Sequence, residues 1–376
     1  MTGTMRRGDP QAWLAARAEQ RAAAGLRRRL RPRSADSTVL DLASNDYLGL
    51  CRDRRLTRAA AAAAERWGAG SSGSRLVTGS TALHAELEAE LAGLVGAPAG
   101  LVFSSGYLAN LAAVTALAGP DCLVVSDAGN HASLVDGCRL SRSRVLVSPP
   151  GDLTAIEDAL AGRAETRAVL VVDAIGSTTG KLLPLAELAA LADRHGAFLV
   201  VDDAHGLGVR GGGRGAAAEA GITGLPHVLT TVTLSKALGA QGGAVLAGRA
   251  VIEHLVDTAR SFIFDTGLNP PAAGAALAAV RIVAAEPGLA MAALDRAARL
   301  AAICAVPVTD SAVVPVPIGA AQAAYDRSIA LLDNGIRVGC FRPPAVPAGA
   351  AQLRLTGRAD LTEAELDRFE RAWRLP

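Results

Sequence analysis

Short apolar runs alternate with longer stretches of helical spacing through the middle of the chain. The runs are three to five residues long, rich in valine and leucine, and bounded by turn residues. They lie at 101–103, 123–125, 145–147, 169–172, 198–201, 228–232 and 244–247. Strands and helices that alternate at this spacing are typical of an α/β fold. The pattern predicts a mainly parallel seven-stranded sheet with helices on both faces.

Two further regions flank this alternation. Residues from Pro10 to about Leu30 are rich in alanine and arginine and predict one helix. Beyond residue 266, a long alanine-rich helix precedes short strands at 313–318, 338–341 and 353–355, which predicts a smaller α+β lobe. We therefore expect an N-terminal helical arm at 1–40, a large domain at 41–265 and a small C-terminal domain at 266–376.

Composition and charge exclude several classes of protein. The chain has 376 residues, 50% of them hydrophobic, with a net charge of +2 and 3% aromatic residues. Mixed charges and few aromatics argue against a nucleic-acid surface. No signal peptide or membrane span is evident, and the five cysteines lack C-x-x-C spacing. We expect reduced thiols and a cytoplasmic location.

Lysine is nearly absent from the chain. Lysine and arginine together number 38, and the only lysines are Lys181 and Lys236. Arginine replaces lysine as a surface cation, but a guanidinium stays protonated and cannot act as a neutral amine. Lys236 follows a predicted strand and precedes small residues, a common position for a catalytic group. Lys181 lies in a predicted loop and is assigned no role.

Polar side chains follow the ends of other predicted strands, where open α/β sheets bind ligands. The turn at 104–110 enters a helix whose free N–H groups could hold a phosphate. Asp202, His205 and His131 also follow strands. A lone histidine in such a position more often caps a turn. A lysine at the end of a further strand favours a ligand-binding role for the histidines instead. A lysine for covalent attachment, a buried acid and a flat imidazole are the groups that pyridoxal 5′-phosphate (PLP) needs.

Other sites fit the sequence less well. No H-E-x-x-H or clustered Cys/His spacing indicates a metal centre, so we expect none. The glycines at 206–215 do not follow a strand at the start of a βαβ unit, as a nucleotide-binding loop would require. A Gly-x-Ser-x-Gly elbow of the serine hydrolases is also missing.

A set of motifs resembles the α-oxoamine synthases, a family of PLP-dependent enzymes with the fold-type I transferase architecture. Thr233 to Gly239 resembles the lysine signature of class II aminotransferase-like enzymes, and the resemblance covers the chain from about Trp13 to Thr356. The supporting motifs occur in the family's order, at 42–50, 73–75, 105–107, 131–133, 202–206 and 342–344.

The resemblance implies roles for the candidate catalytic residues. Lys236 would hold the cofactor and later remove the Cα proton of an amino acid. Asp202 would pair with the pyridine nitrogen, and His131 would stack on the ring. His205 and Ser177 would contact the side of the ring.

The same resemblance implies how the phosphate would be held. The amides of Gly106 and Tyr107, together with Thr233, would bind the cofactor phosphate. Thr266 would reach the phosphate in the partner subunit. A homodimer with shared active sites is therefore expected.

The motifs at 262–266 and 342–349 are most similar to family members that act in biotin biosynthesis. The implied reaction joins L-alanine to a pimeloyl thioester, carried on coenzyme A (CoA) or acyl carrier protein (ACP). It gives 8-amino-7-oxononanoate, carbon dioxide and the free thiol. Asn45 and Arg354 would orient the amino-acid carboxylate. Arg27 and His131 would contact substrate, Arg27 on the acyl side.

The sequence departs from the family pattern at two places. The segment 173–180 is shorter than usual around Ser177 and lacks an aromatic and an acidic residue, and Ala345 replaces a substrate-contacting threonine. Either change could alter the acyl donor. Two alternatives therefore stay open: an α-oxoamine synthase with another amino acid or acyl-CoA, such as a 2-amino-3-ketobutyrate CoA ligase-like or secondary-metabolite enzyme, and a catalytically impaired PLP-binding paralogue.

Overall fold

The computed structural model describes residues 9–375. Residues 1–8 of the predicted arm and residue 376 of the predicted C-terminal domain lie outside this range.

A seven-stranded sheet forms the centre of the fold. Its strands are β2 (Ala99–Phe103), β3 (Cys122–Asp127), β4 (Arg144–Ser148), β5 (Arg167–Asp173), β6 (Phe198–Asp202), β7 (Val228–Thr233) and β8 (Gly243–Ala247). They are ordered β2-β8-β7-β6-β5-β3-β4. Strand β8 runs antiparallel to the other six strands, which all point in one direction. The predicted mainly parallel seven-stranded sheet is confirmed.

Both faces of this sheet are buried. Along β5, Val169 and Val171 pack into one core, whereas Leu170 and Val172 pack into another on the opposite face. Because successive side chains of a strand point to opposite faces, a strand covered on both sides needs continuous apolar sequence. The predicted helices on both faces are confirmed.

The helices of this region connect and cover the strands. They are α2 (Arg54–Trp67), α3 (Ala82–Val95), α4 (Gly106–Leu117), α5 (Ala132–Leu140), α6 (Leu153–Ala161), α7 (Leu185–Arg194), α8 (Ala216–Glu219), α9 (Arg249–Thr258), α10 (Arg260–Ile263) and α11 (Pro270–Ala285). Asn269 caps α11 through its side chain, and Pro270 occupies the first turn, where a missing N–H costs nothing.

A smaller α+β lobe closes the chain. It contains α12 (Gly288–Cys304), β9 (Val313–Gly319), α13 (Ala321–Asp333), β10 (Ile336–Arg337), β11 (Gly339–Phe341), β12 (Ala351–Thr356) and α14 (Glu363–Trp373). Strands β11, β12 and β9 form an antiparallel sheet, while β1 (Leu40–Asp41) pairs in parallel with β10. The predicted small lobe is confirmed as an element of the fold; the domain boundaries stay a prediction.

The N-terminal helix α1 (Pro10–Ala23) is shorter than expected. The prediction of one helix to about Leu30 is wrong. Gly25 adopts a left-handed φ of 65°, and Leu26 donates its N–H to the carbonyl of Arg21 at 2.8 Å. This is a Schellman ending, which glycine favours because it has no side chain to strain the turn.

Between residues 9 and 375, no single helix is long and apolar enough to cross a membrane. The helices α11 and α12 reach that apolar length only when taken together, and an angle of 86° separates them.

Candidate active site

The carboxyl ends of three neighbouring strands bring acidic and hydroxyl side chains to one edge of the sheet. Asp173 of β5 lies opposite Asp202 of β6, and Asp202 lies opposite Thr231 of β7. These parallel strands end at the same edge, and β7 leads directly into the loop that carries Lys236. A cavity of about 280 Å³ opens there. It is lined by Ser105, Gly106, Tyr107, Asn110, His131, Ser133, Asp173, Asp202, Ala204, His205, Thr231, Val232, Thr233, Ser235 and Lys236.

Lys236 lies beside His205 in this cavity. Its Nζ is 3.1 Å from His205 Nε2. Burial lowers the pKa of Lys236, and Arg354 lowers it further, although Asp202 and Asp173 act in the opposite direction. A lowered pKa increases the fraction of neutral amine, the form that adds to an aldehyde or accepts a proton.

Asp202 is a buried carboxylate held from two sides. Its Oδ2 accepts a hydrogen bond of 2.6 Å from the side-chain amide of Asn110, and its Oδ1 accepts the N–H of Ala204 at 3.0 Å. Thr231 donates to Asn110 Oδ1, which fixes the orientation of the amide. The carboxylate is thus fixed for a charge-assisted contact with a cationic ligand group.

His131 caps helix α5 and presents its imidazole to the cavity. Its backbone N–H donates to both carboxyl oxygens of Asp173 at 3.2 Å, and its Nδ1 lies 2.7 Å from Ser133 Oγ. The residue is exposed although it lines the cavity. An imidazole fixed at its edge with an open face suits stacking on a flat aromatic ligand.

His205 is buried between Lys236 and Tyr47. The hydroxyl of Tyr47 lies 2.6 Å from His205 Nδ1, and only 7% of His205 is exposed. Burial lowers the pKa of His205 well below its usual value, and the nearby charges of Lys236 and Arg354 lower it further. The imidazole is therefore neutral near pH 7.

The start of helix α4 provides backbone donors at the other end of the cavity. Ser105 caps the helix by accepting the N–H of Leu108, while first-turn amides such as those of Gly106 and Tyr107 have no partner inside a helix. A Cβ on Gly106 would lie 3.1 Å from Thr233 Cβ, so glycine allows this close approach. Amides at a helix start beside a threonine hydroxyl suit a phosphate.

Arg354 is a buried cation close to these groups. One Nη donates to the carbonyl of Ser177 at 2.9 Å and the other to Asn45 Oδ1 at 2.7 Å. Its guanidinium lies 4.4 Å from the ring centre of Phe341, and Nε has no hydrogen-bond partner in the described residues. Arg354 thus has neutral partners and can bind a carboxylate.

The shortened segment 173–180 forms a turn beside Arg354. Gly176 donates its N–H to the carbonyl of Lys181 at 3.0 Å, and Ile175 and Leu182 form an isolated bridge. Ser177 contacts Arg354 through its backbone carbonyl. Lys181 is exposed and lies outside the lining of the cavity.

Five predicted site residues do not line this cavity within one chain. Three of them, Asn45, Ser177 and Arg354, are joined by the hydrogen bonds of Arg354. The other two, Arg27 and Thr266, lie apart from them. Arg27 is exposed on the arm, where its carbonyl accepts a hydrogen bond from Arg342. Thr266 is also exposed and forms an isolated bridge with Ser74. Ala345 lines a different cavity, of about 620 Å³, beside Phe341 and Arg342.

Sequence reasoning missed several residues of the site, among them Asn110, Asp173 and Tyr47. Asn110 orients Asp202, Asp173 binds the backbone of His131, and Tyr47 contacts His205. Tyr47 lies in the motif at 42–50 and Asn110 in the turn at 104–110, while Asp173 ends the strand next to that of Asp202. Their positions were visible in the sequence, but their partners depend on tertiary contacts.

Comparison with protein families gives one match over most of the chain. The family described as aminotransferase class I and II matches residues 37–372.

Individual relatives are similar over nearly the full length. An 8-amino-7-oxononanoate synthase from Mycobacterium sp. (strain KMS) is 58% identical over 365 residues, covering 96% of each chain. A serine palmitoyltransferase from S. paucimobilis, solved with a bound adduct of PLP and myriocin, has a TM-score of 0.88 and 28% identity, covering 97% of this chain and 98% of its own. An 8-amino-7-oxononanoate synthase from Francisella tularensis has a TM-score of 0.75 and 26% identity, covering 89% and 96%.

Proposed function

The chain belongs to the aminotransferase class I and II family, and on that premise we propose that it condenses L-alanine with a pimeloyl thioester. The products are 8-amino-7-oxononanoate, carbon dioxide and the free thiol, a step of biotin biosynthesis. The observation that carries this proposal is the 58% identity to an 8-amino-7-oxononanoate synthase over 96% of both chains. It confirms the resemblance to the α-oxoamine synthases and favours neither alternative.

The residues of the cavity fit PLP as the cofactor. One cavity is lined by Lys236, whose pKa is lowered by burial, by the fixed carboxylate of Asp202 and by the open face of His131. When bound, PLP supplies an aldehyde for the lysine and a pyridinium ring that spreads the negative charge of a carbanion. Lys236 would hold the cofactor, and its amine, once free, would accept the Cα proton of alanine.

Asp202, His131 and His205 would position the ring. The negative charge of Asp202 would keep the pyridine nitrogen protonated. Asn110 holds the carboxylate in a fixed orientation for this contact. The exposed imidazole of His131 would cover one face of the ring. His205, which lies 3.1 Å from Lys236, would contact the side of the ring next to the lysine, with Ser177 nearby.

The phosphate would lie at the start of α4. The amides of Gly106 and Tyr107 and the hydroxyl of Thr233 are its proposed donors, and the close packing of Gly106 on Thr233 brings them together. Thr266 is exposed and outside the cavity of its own chain. This supports a homodimer in which each subunit's Thr266 reaches the phosphate of its partner. A stable, fully active monomer in sedimentation would contradict the proposed dimer.

Arg354 and Asn45 would bind the carboxylate of L-alanine. The guanidinium is buried and hydrogen-bonds to neutral groups, so a carboxylate is the partner that would balance its charge. That contact would orient the Cα–H bond toward Lys236. Arg27 would bind on the acyl side, and the carrier of the thioester is CoA or ACP.

Within residues 9–375 the five cysteines are free of disulfide bonds. Free thiols suit a reducing compartment, which supports a proposed cytoplasmic location.

Product identification tests the proposed reaction. The purified protein, loaded with PLP, is incubated with L-alanine, glycine or L-serine in combination with pimeloyl-CoA, acetyl-CoA, succinyl-CoA or palmitoyl-CoA. Mass spectrometry should detect 8-amino-7-oxononanoate from alanine and pimeloyl-CoA as the main product. A ketone formed only from another pair would replace the assignment, and no ketone from any pair would indicate the impaired paralogue.

A further inference from the structure

A buried hydrogen-bonded path runs from Tyr47 through His205 to Lys236. The Tyr47 hydroxyl lies 2.6 Å from His205 Nδ1, and Lys236 Nζ lies 3.1 Å from Nε2 of the same ring. Tyr47 is fully buried and comes from the loop after β1, 158 positions away from His205. Each ring nitrogen of His205 therefore lies within hydrogen-bond distance of one of these two side chains.

The geometry favours the Tyr47 hydroxyl as the donor in the Tyr47–His205 pair. The Tyr47 hydroxyl has a single proton and two acceptors within reach, His205 Nδ1 at 2.6 Å and Asn45 Oδ1 at 3.4 Å. Asn45 Oδ1 already accepts the charged Arg354 at 2.7 Å. If His205 Nδ1 were the donor, the hydroxyl proton would have only the contact of 3.4 Å to Asn45, which is long for a hydroxyl donor. The distances therefore favour donation from the hydroxyl to Nδ1. Burial raises the pKa of Tyr47, which keeps the hydroxyl protonated.

We propose that Tyr47 is a positioning residue that holds neutral His205 in the tautomer with its proton on Nε2. A neutral imidazole has one N–H and one acceptor nitrogen. With Nδ1 occupied as an acceptor, Nε2 carries the proton and donates toward Lys236. The lysine nitrogen must then accept, and only the neutral amine has a lone pair for this.

Other groups near Lys236 affect its charge but do not replace this role. The titratable and charged groups that face His205 or Lys236 are Asp173, Asp202, His131 and Arg354. The acids favour the charged ammonium and Arg354 opposes it. In the described part of the chain, Tyr47 is the one side chain within hydrogen-bond distance of His205 Nδ1.

The consequence deepens the proposed function and rests on it, because the proton acceptor in that reaction is the neutral amine of Lys236. An imidazole that donates to Nζ stabilises that form. An imidazole in the other tautomer would accept from the ammonium and stabilise the form that cannot take a proton. Tyr47 thus favours the neutral amine of Lys236 through His205, although it does not contact Lys236 itself.

The variant Tyr47→Phe tests this role because it removes the hydroxyl and keeps the ring that fills the core. Imidazole ¹⁵N spectra of the full-length chain report which nitrogen of His205 carries the proton. We expect Nε2–H in the parent protein and a change toward Nδ1–H, or a mixture, in Tyr47→Phe. The matched control is Tyr325→Phe, which removes a hydroxyl bonded to Arg31 outside the Lys236 cavity.

The scarcity of lysine gives a second measurement that does not depend on activity. Lysine labelled with ¹³C at Cε gives two signals, from Lys181 and Lys236, in the full-length chain before PLP is added. In Tyr47→Phe we expect the pKa of Lys236 to rise by about one pH unit, the size of one lost hydrogen bond. The signal of Lys181, which is exposed and outside the cavity, serves as the internal reference in both proteins.

In the PLP-loaded enzyme, kcat should fall about tenfold while KM for alanine changes little. Thermal unfolding of both variants shows whether the fold is retained. If His205 keeps Nε2–H and Lys236 keeps its pKa in a folded Tyr47→Phe protein, the proposal is wrong. Both spectra are independent of turnover, so this outcome is distinct from failure of the proposed reaction.

Discussion

Arg354 and Asn45 lie 309 positions apart in the sequence, yet an Nη of the guanidinium donates to Asn45 Oδ1 at 2.7 Å. Arg354 belongs to β12 in the small lobe, whereas Asn45 lies in the loop that follows β1. The second Nη binds the carbonyl of Ser177, so three distant segments meet at one buried cation. This contact supports the proposed carboxylate site for the amino-acid substrate.

Replacing Arg354 with lysine should weaken substrate binding more than cofactor binding. Lysine keeps the positive charge but loses the planar fork that reaches Ser177, Asn45 and a carboxylate together. We expect KM for alanine to rise about tenfold to a hundredfold, as for loss of hydrogen bonds to a charged group. The visible absorption band of the lysine–cofactor linkage should persist. An unchanged KM for alanine would place the carboxylate elsewhere.

Replacing Lys236 with arginine should abolish both the covalent link to PLP and turnover. Arginine retains the charge but stays protonated, so it cannot provide a neutral amine. We expect activity to fall more than about a hundredfold, the least that a positioned proton acceptor usually contributes. Absorption spectra and thiol release measure the two effects. Lys181→Arg is the matched control, and loss of the absorption band in that protein would contradict the assignment.

Replacing Asp202 with asparagine should separate cofactor attachment from catalysis. Asparagine has nearly the same size but no negative charge to keep the pyridine nitrogen protonated. We expect the absorption band to form while kcat falls about a hundredfold to a thousandfold, as when one electrostatic stabiliser is removed. Asp295→Asn, at an exposed position, should leave kcat unchanged. Near-normal turnover in Asp202→Asn would rule out this role for the carboxylate.

Asp203 should make the stability of the protein depend on pH. Burial raises the pKa of Asp203 from 3.8 to about 8, and its Oδ1 has no hydrogen-bond partner in the described residues. Between these pH values the folded protein holds a proton that the unfolded chain has lost. The contribution of Asp203 to the free energy of unfolding therefore falls as pH rises, by up to about 1.4 kcal/mol per pH unit.

Denaturant unfolding of Asp203→Asn at pH 6 and pH 8, compared with the parent protein, measures this contribution. The asparagine cannot ionise, so the variant should lose less stability over that interval. Asp257→Asn, at an exposed position, should show the same change in the free energy of unfolding between pH 6 and pH 8 as the parent protein. The buried histidines are common to all three proteins, so their titration cancels in the comparison. An equal change in the free energy of unfolding for the parent and Asp203→Asn would show that Asp203 is already ionised in the folded protein at pH 6.

Local sequence was sufficient for the central sheet but not for several contacts of the site. Runs such as 169–172 predict a strand buried on both faces, and the acid of Asp202 follows such a run directly. The predicted end of α1 near Leu30 is wrong because the arginines after Gly25 continue a helix-favouring composition, while the left-handed Gly25 stops the helix. The Tyr47–His205 contact joins residues 158 positions apart, and hydrophobic spacing carries no information on such pairs.

The carbon dioxide released from L-alanine labelled with ¹³C in its carboxyl group tests the proposed reaction most directly. Condensation and decarboxylation are coupled in this account, so labelled carbon dioxide, free CoA and 8-amino-7-oxononanoate should appear in equal amounts from pimeloyl-CoA. None should form without the thioester or with Lys236→Arg. Release of labelled carbon dioxide without pimeloyl-CoA, or thiol release with the label retained in the product, would contradict it.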